Sequence, residues 1–376
     1  MVAMQVTWRA LPTFFEAAHV RLGDDIAASM REDAFVSDDP RRIVERLGQL
    51  GVFRLLRTCD SVRALCVARE LLAYRSPLAD AIFAAQGLAA CVLVLAGGEQ
   101  WRGRLQDAAA GRVIGGFALT EPEAGSDMAS IRSTARLVSG TWLLDGHKTL
   151  IANVGIAGFF VVFANVDPSM DERGITAFLV EAHAPGLGIE PLPTLDGQPV
   201  GGLMMRGVPA QLLGEIGHGM RLALGASDVF RPTVGAAAVG MAQRALDEVV
   251  PRMVKRIQFG HPLASFQLVQ GAIADMATDL EAARVLVARA AWAKDTRCAK
   301  DTDVPIAKMF ATEAAGRIVD RAVQLFGGAG LLGGGVVERL YRSVRALRIH
   351  EGPTEIQKIL IARSLIEGAR GPSSYG

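Results

Sequence analysis

The sequence has no excess of charge of either sign: 40 Lys and Arg face 39 Asp and Glu. Nothing global steers such a chain to nucleic acid or to an anionic membrane, and neither is expected as a partner. Cysteine is scarce. Cys59, Cys66, Cys91 and Cys298 make no CxxC pair, and none sits beside a histidine at metal-ligand spacing, so no metal is expected. Scattered cysteines of this kind read as reduced, buried small hydrophobes, which sets a cytoplasmic home as the expectation. A long apolar run is also missing. The longest, about Leu88 to Ala96, is far below the ~20 residues of a membrane span and reads as a buried helix. The first residues, MVAMQVTWRALPTFFEAAHVR, show no basic start followed by a clean apolar stretch, so no signal peptide is expected. No internal repeat is found.

What is present is apolar bulk. Of 376 residues, 50% are hydrophobic, enough for a large core in two or three units. Residues 1–113 place apolar side chains three and four apart, at Ile43, Leu47 and Leu50 and again at Leu65, Ala68 and Leu72, and read as an N-terminal helical domain. From 114 to 217 short β-branched and aromatic runs alternate with turn residues, the texture of a central β-domain. Ala135–Val138 and Trp142–Leu144 flank Ser139-Gly140-Thr141 as a hairpin. Phe159–Phe163 and Ile175–Val180 are further strands; Pro185-Gly186, Asp196-Gly197 and Gly201-Gly202 read as turns. From 218 to 376 long helices return. One runs from Arg231 to Arg256 with a kink expected at Pro251. Another, Phe266 to Lys294, carries a stripe of Val269, Ile273, Met276, Leu280 and Leu286. A third, Val304 to Phe326, is stopped by Gly327-Gly328. Asn and Ser are sparse here, so these helices are expected to pack on each other and on a partner subunit. The tail Gly371–Gly376 reads as frayed.

Five motifs can carry chemistry. In Phe117-Ala-Leu-Thr-Glu-Pro-Glu-Ala-Gly-Ser-Asp127 a strand enters a turn whose small residues let backbone amides approach an anion or a planar ring; a plain Pro/Gly turn is the other reading. Gly146-His-Lys-Thr-Leu-Ile-Ala-Asn153 is by itself only a hairpin and strand. Arg256-Ile-Gln-Phe-Gly260, followed by Pro262-Leu263 and Phe266-Gln267, offers a guanidinium to a phosphate, or merely an arginine at a helix end. Gln324-Leu-Phe-Gly-Gly-Ala-Gly330 ends a helix in glycines whose amides can face a ligand. Arg348-Ile-His-Glu-Gly-Pro-Thr-Glu-Ile-Gln357 sets Glu351 just before a helix whose first turn suits Pro353. A carboxylate there serves the helix dipole or something more.

In this order and together, the five motifs resemble the acyl-CoA dehydrogenase family over nearly the whole chain. The resemblance implies an α+β fold: an N-terminal helical domain, a central β-barrel-like domain and a C-terminal four-helix bundle. It implies FAD as cofactor, an acyl-CoA substrate, an electron-transfer flavoprotein as acceptor, and a homo-oligomer, tetramer or dimer. Carried over by motif, Phe117, Leu119, Thr120, Gly125 and Ser126, with Leu150 and Ala152 of the hairpin, line the flavin and its pyrophosphate. Arg256, Gln258, Phe259, Gln267, Gln324, Gly327, Gly328 and Thr354 complete the cofactor contacts, the adenosine half belonging to a neighbour's FAD. Ser126, Asp228, Arg231 and Gly352 fall on the substrate side. Glu351 is the catalytic base, and the other placement of that base in the family is filled here by Phe230, which cannot take a proton. Burial of Glu351 under flavin and acyl chain is expected to raise its pKa toward neutrality, and its amide helps hold the enolate-like oxygen. The β-hydride goes to flavin N5.

Two departures stand out. Leu150 replaces an aromatic residue, and Ala152 replaces a hydroxyl that bonds flavin N5, a loss of about 1 kcal/mol that FAD binding survives. After Leu50-Gly51-Val52 the family's P-x-x-x-GG loop is missing, so the acyl-binding wall differs. An oxidase, a carrier-protein thioester dehydrogenase, and a non-catalytic subunit retaining the fold are the alternatives to an acyl-CoA dehydrogenase.

Overall fold

Apolar residues three and four apart build helices at both ends of the chain, and β-branched runs build strands between them. The computed structural model describes residues 6–30, 35 and 38–370; the tail 371–376, expected to fray, lies outside them. Among the described residues six α-helices come first: α1 (Thr7–Ala10), α2 (Ala17–Ser29), α3 (Pro40–Leu50), α4 (Val62–Arg75), α5 (Pro77–Ala96) and α6 (Arg102–Ala109). Their ends follow local chemistry. The Asp39 carboxylate caps α3, with Pro40 in its first turn and Gly51 in the left-handed conformation after its last residue. The Ser61 hydroxyl caps α4. The apolar run near Leu88 belongs to the longer α5, which by length and composition alone could cross a bilayer; 67% of its most apolar window is buried inside the protein, as in a core helix.

Seven strands follow: β1 (Gly115–Ala118), β2 (Thr134–Val138), β3 (Thr141–Ala152), β4 (Phe159–Asn165), β5 (Ile175–Glu181), β6 (Leu187–Leu192) and β7 (Val200–Leu213). They form one mixed sheet in the order β1-β4-β2-β3-β7-β5, and β5 also pairs back onto β4. That second pairing closes a ring, the barrel-like arrangement. Its weakest seam is β2 to β4, a single parallel partner pair, Thr134 with Asn165. Leu144, Phe160, Val162, Phe178, Val180, Leu203 and Val208 fill the interior. The β2–β3 hairpin turns through Ser139 and Gly140, both with positive φ, as a two-residue hairpin loop requires. Gly201-Gly202 are not a turn. They lie within β7, where a Cβ on Gly201 would stand 2.5 Å from the Glu190 carbonyl oxygen of the paired strand; close backbone approach, not chain reversal, selects glycine there.

The remaining elements are α7 (Gly219–Lys255), a two-residue ribbon of β8 (Ile257–Gln258) and β9 (His261–Pro262), α8 (Gln267–Asp295), α9 (Asp303–Phe326), α10 (Val336–Leu347) and α11 (Thr354–Arg370). The first starts twelve residues before the expected Arg231 and runs through both Pro232 and Pro251. Cys298 is exposed, unlike the other three cysteines, because it follows the C-terminal end of α8 in a polar loop.

The chain divides into two compact units. The β unit takes Glu32–Asp60 and Leu78–Phe230; the helical unit takes Met1–Arg31, Ser61–Pro77 and Arg231–Gly376. In the helical unit α9 packs on α8, α10 and α11, and α4 packs on α8 and α2. Several charged groups buried among these helices are paired. Arg284 of α8 donates to Glu70 of α4, to the Thr7 hydroxyl and to Gln243 of α7, and Arg63 pairs with Asp295 at 2.8 Å. Contact between α7 and α4 is backbone-close: a Cβ on Gly240 would lie 2.1 Å from the Glu70 carbonyl oxygen. A helical carbonyl cannot rotate away, so the clash outweighs the ~1 kcal/mol that alanine gains over glycine in a helix. Gly240→Ala is expected to lower unfolding free energy by about 1–3 kcal/mol, measured as a reduced urea midpoint; an unchanged midpoint would mean that the two helices part without cost.

Candidate functional site

In the β unit the site grows from β1. Among the described residues this strand pairs with β4 alone; on its other side the Gly115 amide donates to the Gln86 side chain and the Gly115 carbonyl accepts from Asn153. Phe117 sits on it, its ring 5.0 Å from that of Phe163. Leu119 is buried, and Thr120 accepts the Thr149 amide through its carbonyl. Beyond them Glu121 and Ala124 exchange backbone hydrogen bonds around a tight turn. Gly125 and Ser126 lie exposed after it, and a Cβ on Gly125 would meet nothing within 4 Å.

The loop is fixed by a buried ion pair that joins two of the motifs. Lys148 of β3 has 0% exposure; its ammonium donates to Glu121 at 2.7 Å and to the Leu119 carbonyl at 3.0 Å. Glu121 also accepts the amides of Arg132 (2.6 Å) and Ser133 (3.0 Å). Burial alone would raise the Glu121 carboxyl, but the Lys148 ammonium and the hydrogen bonds hold it below the usual carboxylate range. Burial pushes the Lys148 ammonium down to about 8, against the attraction of Glu121. Neither residue was among the sequence candidates, although both stand inside the quoted motifs. A charged residue in a strand otherwise destined for the core is the signal that could have singled out Lys148.

Past Lys148 the β3–β7 register shifts before Ile151. Leu150 occupies this bulge with φ +56° and 63% of its surface exposed. A left-handed leucine is strained, and strain of this kind concentrates at functional sites. Ala152 follows, its carbonyl 3.1 Å from where a Gly116 Cβ would stand. Asn153, also left-handed, is buried and donates to the Gly115 carbonyl. Ala152 is thus brought beside Gly116 of β1. Asp228 is exposed on the β-unit part of α7, and Phe230 is buried where a Gly87 Cβ would stand 2.2 Å from its ring.

In the helical unit two of the motifs meet. Arg256 and Gln258 are exposed at the β8–β9 ribbon, whose tip is Phe259 and Gly260, both with positive φ; Phe259 is 91% exposed. Gln267 is exposed at the start of α8. Gln324, Gly327 and Gly328 are exposed at the end of α9, with open space around both glycines. Arg252, one turn before Arg256, stacks 4.5 Å over the Phe326 ring and donates to the Phe326 carbonyl, which ties the ribbon's root to the glycine turn.

The second cluster of this unit surrounds Glu351. Glu351 has φ +53° and Gly352 φ +88°, two consecutive left-handed residues ahead of α11. Side chains from three helices hold their carbonyls. Arg231 of α7 donates to the Glu351 carbonyl at 3.2 Å. Lys308 of α9 (2.8 Å) and Gln357 of α11 (2.9 Å) both donate to that of Gly352. Helix α11 begins at Thr354, one residue later than Pro353 suggested, and the Pro353 carbonyl accepts its first intrahelical bond. Thr354 is buried, its hydroxyl donating to Glu313 at 2.8 Å. Burial opposes ionisation of Glu313, yet Thr354 and the paired Arg348 hold its carboxyl below the usual range. Lys308 and Glu313 escaped the sequence reading because each reaches the turn from a distant stretch of chain; Gln357 stands inside the quoted motif, five residues from the carbonyl it holds.

Family models for the acyl-CoA dehydrogenase middle and C-terminal domains match residues 116–208 and 217–366. The chain is 34% identical over 342 residues to a 3-(aryl)acrylate reductase of Clostridium sporogenes, covering 87% of this chain and 91% of that one. It is 38% identical over 316 residues to the probable acyl-CoA dehydrogenase FadE25 of Mycobacterium tuberculosis, covering 82% and 81%. Among solved structures, butyryl-CoA dehydrogenase from Megasphaera elsdenii superposes with a TM-score of 0.85 at 28% identity, over 94% of this chain and 99% of that one. An acyl-CoA dehydrogenase complexed with FAD from Bacillus anthracis does so with 0.85 at 25% identity, over 95% and 68%.

The buried pair makes a direct prediction. Lys148→Met leaves the Glu121 carboxylate in the interior without its cation, a loss of about 3–5 kcal/mol. Adding Glu121→Gln removes the stranded charge and is expected to recover a good part of that loss. Equilibrium unfolding of both variants checks this; a Lys148→Met protein as stable as the parent would show that the pair does not hold the loop.

Proposed function

This chain belongs to the acyl-CoA dehydrogenase family, and we propose that it oxidises an acyl-CoA thioester between its α- and β-carbons with Glu351 as the base. One observation carries the assignment of the base: Glu351 is held in a left-handed turn by side chains from three different helices. Backbone strain persists where the surroundings over-determine it, and such places are enriched in working groups. A carboxylate that served only the α11 dipole would need no such scaffold.

FAD fits the residues present. The open space around Gly125, the exposed apolar side chain of Leu150 and the open glycines 327 and 328 suit a planar ring system carrying a pyrophosphate. Phe117, Leu119, Thr120, Gly125, Ser126, Leu150 and Ala152 would hold the flavin half. Arg256, Gln258, Phe259, Gln267, Gln324, Gly327 and Gly328 would hold the adenosine half of a neighbour's cofactor, which makes the protein a homo-oligomer. Bound FAD supplies the acceptor for the β-hydride.

The Glu351 carboxylate takes the α-proton of the acyl group. The electron pair of that C–H bond shifts toward the thioester carbonyl and becomes the α,β double bond as hydride leaves the β-carbon. The amide of Glu351 would steady charge on the thioester oxygen, and Arg231 and Lys308 keep the turn from relaxing. An electron-transfer flavoprotein is the acceptor we assign, and the cytoplasm the compartment. The name of the Clostridium sporogenes relative supports a second reading of direction: the same groups would then return a proton and a hydride to an enoyl or arylacrylyl thioester.

The purified protein is expected to be yellow and to release FAD on denaturation. Glu351→Gln is expected to stay folded and yellow while saturated acyl-CoAs reduce its flavin at least about a hundredfold more slowly, as read by anaerobic stopped-flow. Reduction at the parental rate would make Glu351 structural. Reoxidation of a photoreduced sample by enoyl-CoAs, compared with reduction by acyl-CoAs, separates the two directions.

A further inference from the structure

Lys308 is the one residue of the Glu351 cluster whose burial is hard to explain by packing. It has 0% exposure, and its ammonium donates to the Gly352 carbonyl at 2.8 Å. An alkyl side chain would fill the same volume without desolvating a charge, which costs several kcal/mol. Gln357 already donates to that carbonyl, so an acceptor for a hydrogen bond does not by itself call for a cation.

We propose that Lys308 is a positioning residue for Glu351: it clamps the carbonyl of the next residue and supplies the positive charge beside which the carboxylate ionises. The inference rests on the reading of Glu351 as the base. The groups that face Lys308 come from each neighbouring element. Burial pushes its ammonium down to about 8; Glu351 opposes this, Arg231 of α7 adds to it, and Glu313 of α9 and Glu355 of α11 oppose it more weakly. Glu313 is itself neutralised by Arg348 and Thr354, which leaves Glu351 as the principal counter-charge. The relation is reciprocal. A carboxylate that holds a proton on the lysine is held ionised by that lysine. Burial under cofactor and acyl chain would favour the protonated, idle form of the base, and Lys308 offsets that.

The test is the pH dependence of flavin reduction in the holoenzyme, with the saturated acyl-CoA that reduces the parent fastest. Lys308→Gln keeps a donor for Gly352 and loses the charge; Lys308→Met loses both. Losing the charge moves the acid limb of the rate to higher pH, by about one pH unit for a close cation. Lys308→Met shows the same displacement with a lower plateau, because the turn is also released. Acid limbs identical to the parent's in both variants would overturn the proposal. Should neither variant fold, Lys308→Arg keeps both the charge and a donor: it is expected to keep the parental acid limb, and a limb moved to higher pH despite the retained charge would overturn the proposal. Glu351→Gln runs alongside. If it reduces flavin as the parent does, the reading of the base has failed; if it is slow while both Lys308 variants keep the parental limb, only the role of Lys308 has failed.

Discussion

A lysine ammonium taken out of water must find acceptors in the protein, and the cost of failing is several kcal/mol. One irregular segment in each unit is organised by that constraint. Lys148 carries β3 to the loop after β1, where Glu121 and the Leu119 carbonyl receive it. Lys308 carries α9 to the turn before α11, where the Gly352 carbonyl receives it. In each case a fully buried cation belongs to regular structure and its acceptors belong to an irregular segment. The regular element is rigid, so the irregular one is located by it. A loop anchored in this way needs no hydrophobic core of its own, and its outer face stays free for a ligand.

The second recurring feature is the left-handed residue that is not glycine. Leu150, Asn153, Phe259 and Glu351 all have positive φ, and all four lie in the motifs read as cofactor or base segments. Asparagine tolerates this conformation; leucine, phenylalanine and glutamate do so at a cost. Their neighbours account for their persistence. Asn153 is fastened to Gly115, Phe259 is followed by Gly260 in a two-residue ribbon turn and Glu351 is held through Arg231. For Leu150 the β3–β7 bulge sets the conformation. Cys59, Ser139 and Arg297 are left-handed outside those motifs, so the conformation belongs to tight turns and bulges throughout the chain and does not by itself mark a site.

Helix, strand and helix were legible from spacing, because the two periods differ and the turns carry their own residue types. The hairpin at Ser139-Gly140 and the end of α9 at Gly327 were read from local chemistry alone, and the stop at each is local in cause. Glycine was ambiguous. Gly201 reverses nothing; it is small because the Glu190 backbone of the paired strand lies against it, and a contact between residues far apart in the chain leaves no local trace. The start of α7 was misplaced for a related reason: Pro232 suggests a boundary near Arg231, yet the helix runs unbroken from Gly219.

By itself the sequence determined the fold class and the order of the motifs, since each rests on residue types at short spacing. Tertiary structure alone decided what supports them. Lys148 meets Glu121 across 27 positions, Lys308 meets Gly352 across 44, and Arg231 meets Glu351 across 120. Such pairs form because a buried charge or carbonyl takes whatever partner the packing delivers, and packing is a property of the whole chain.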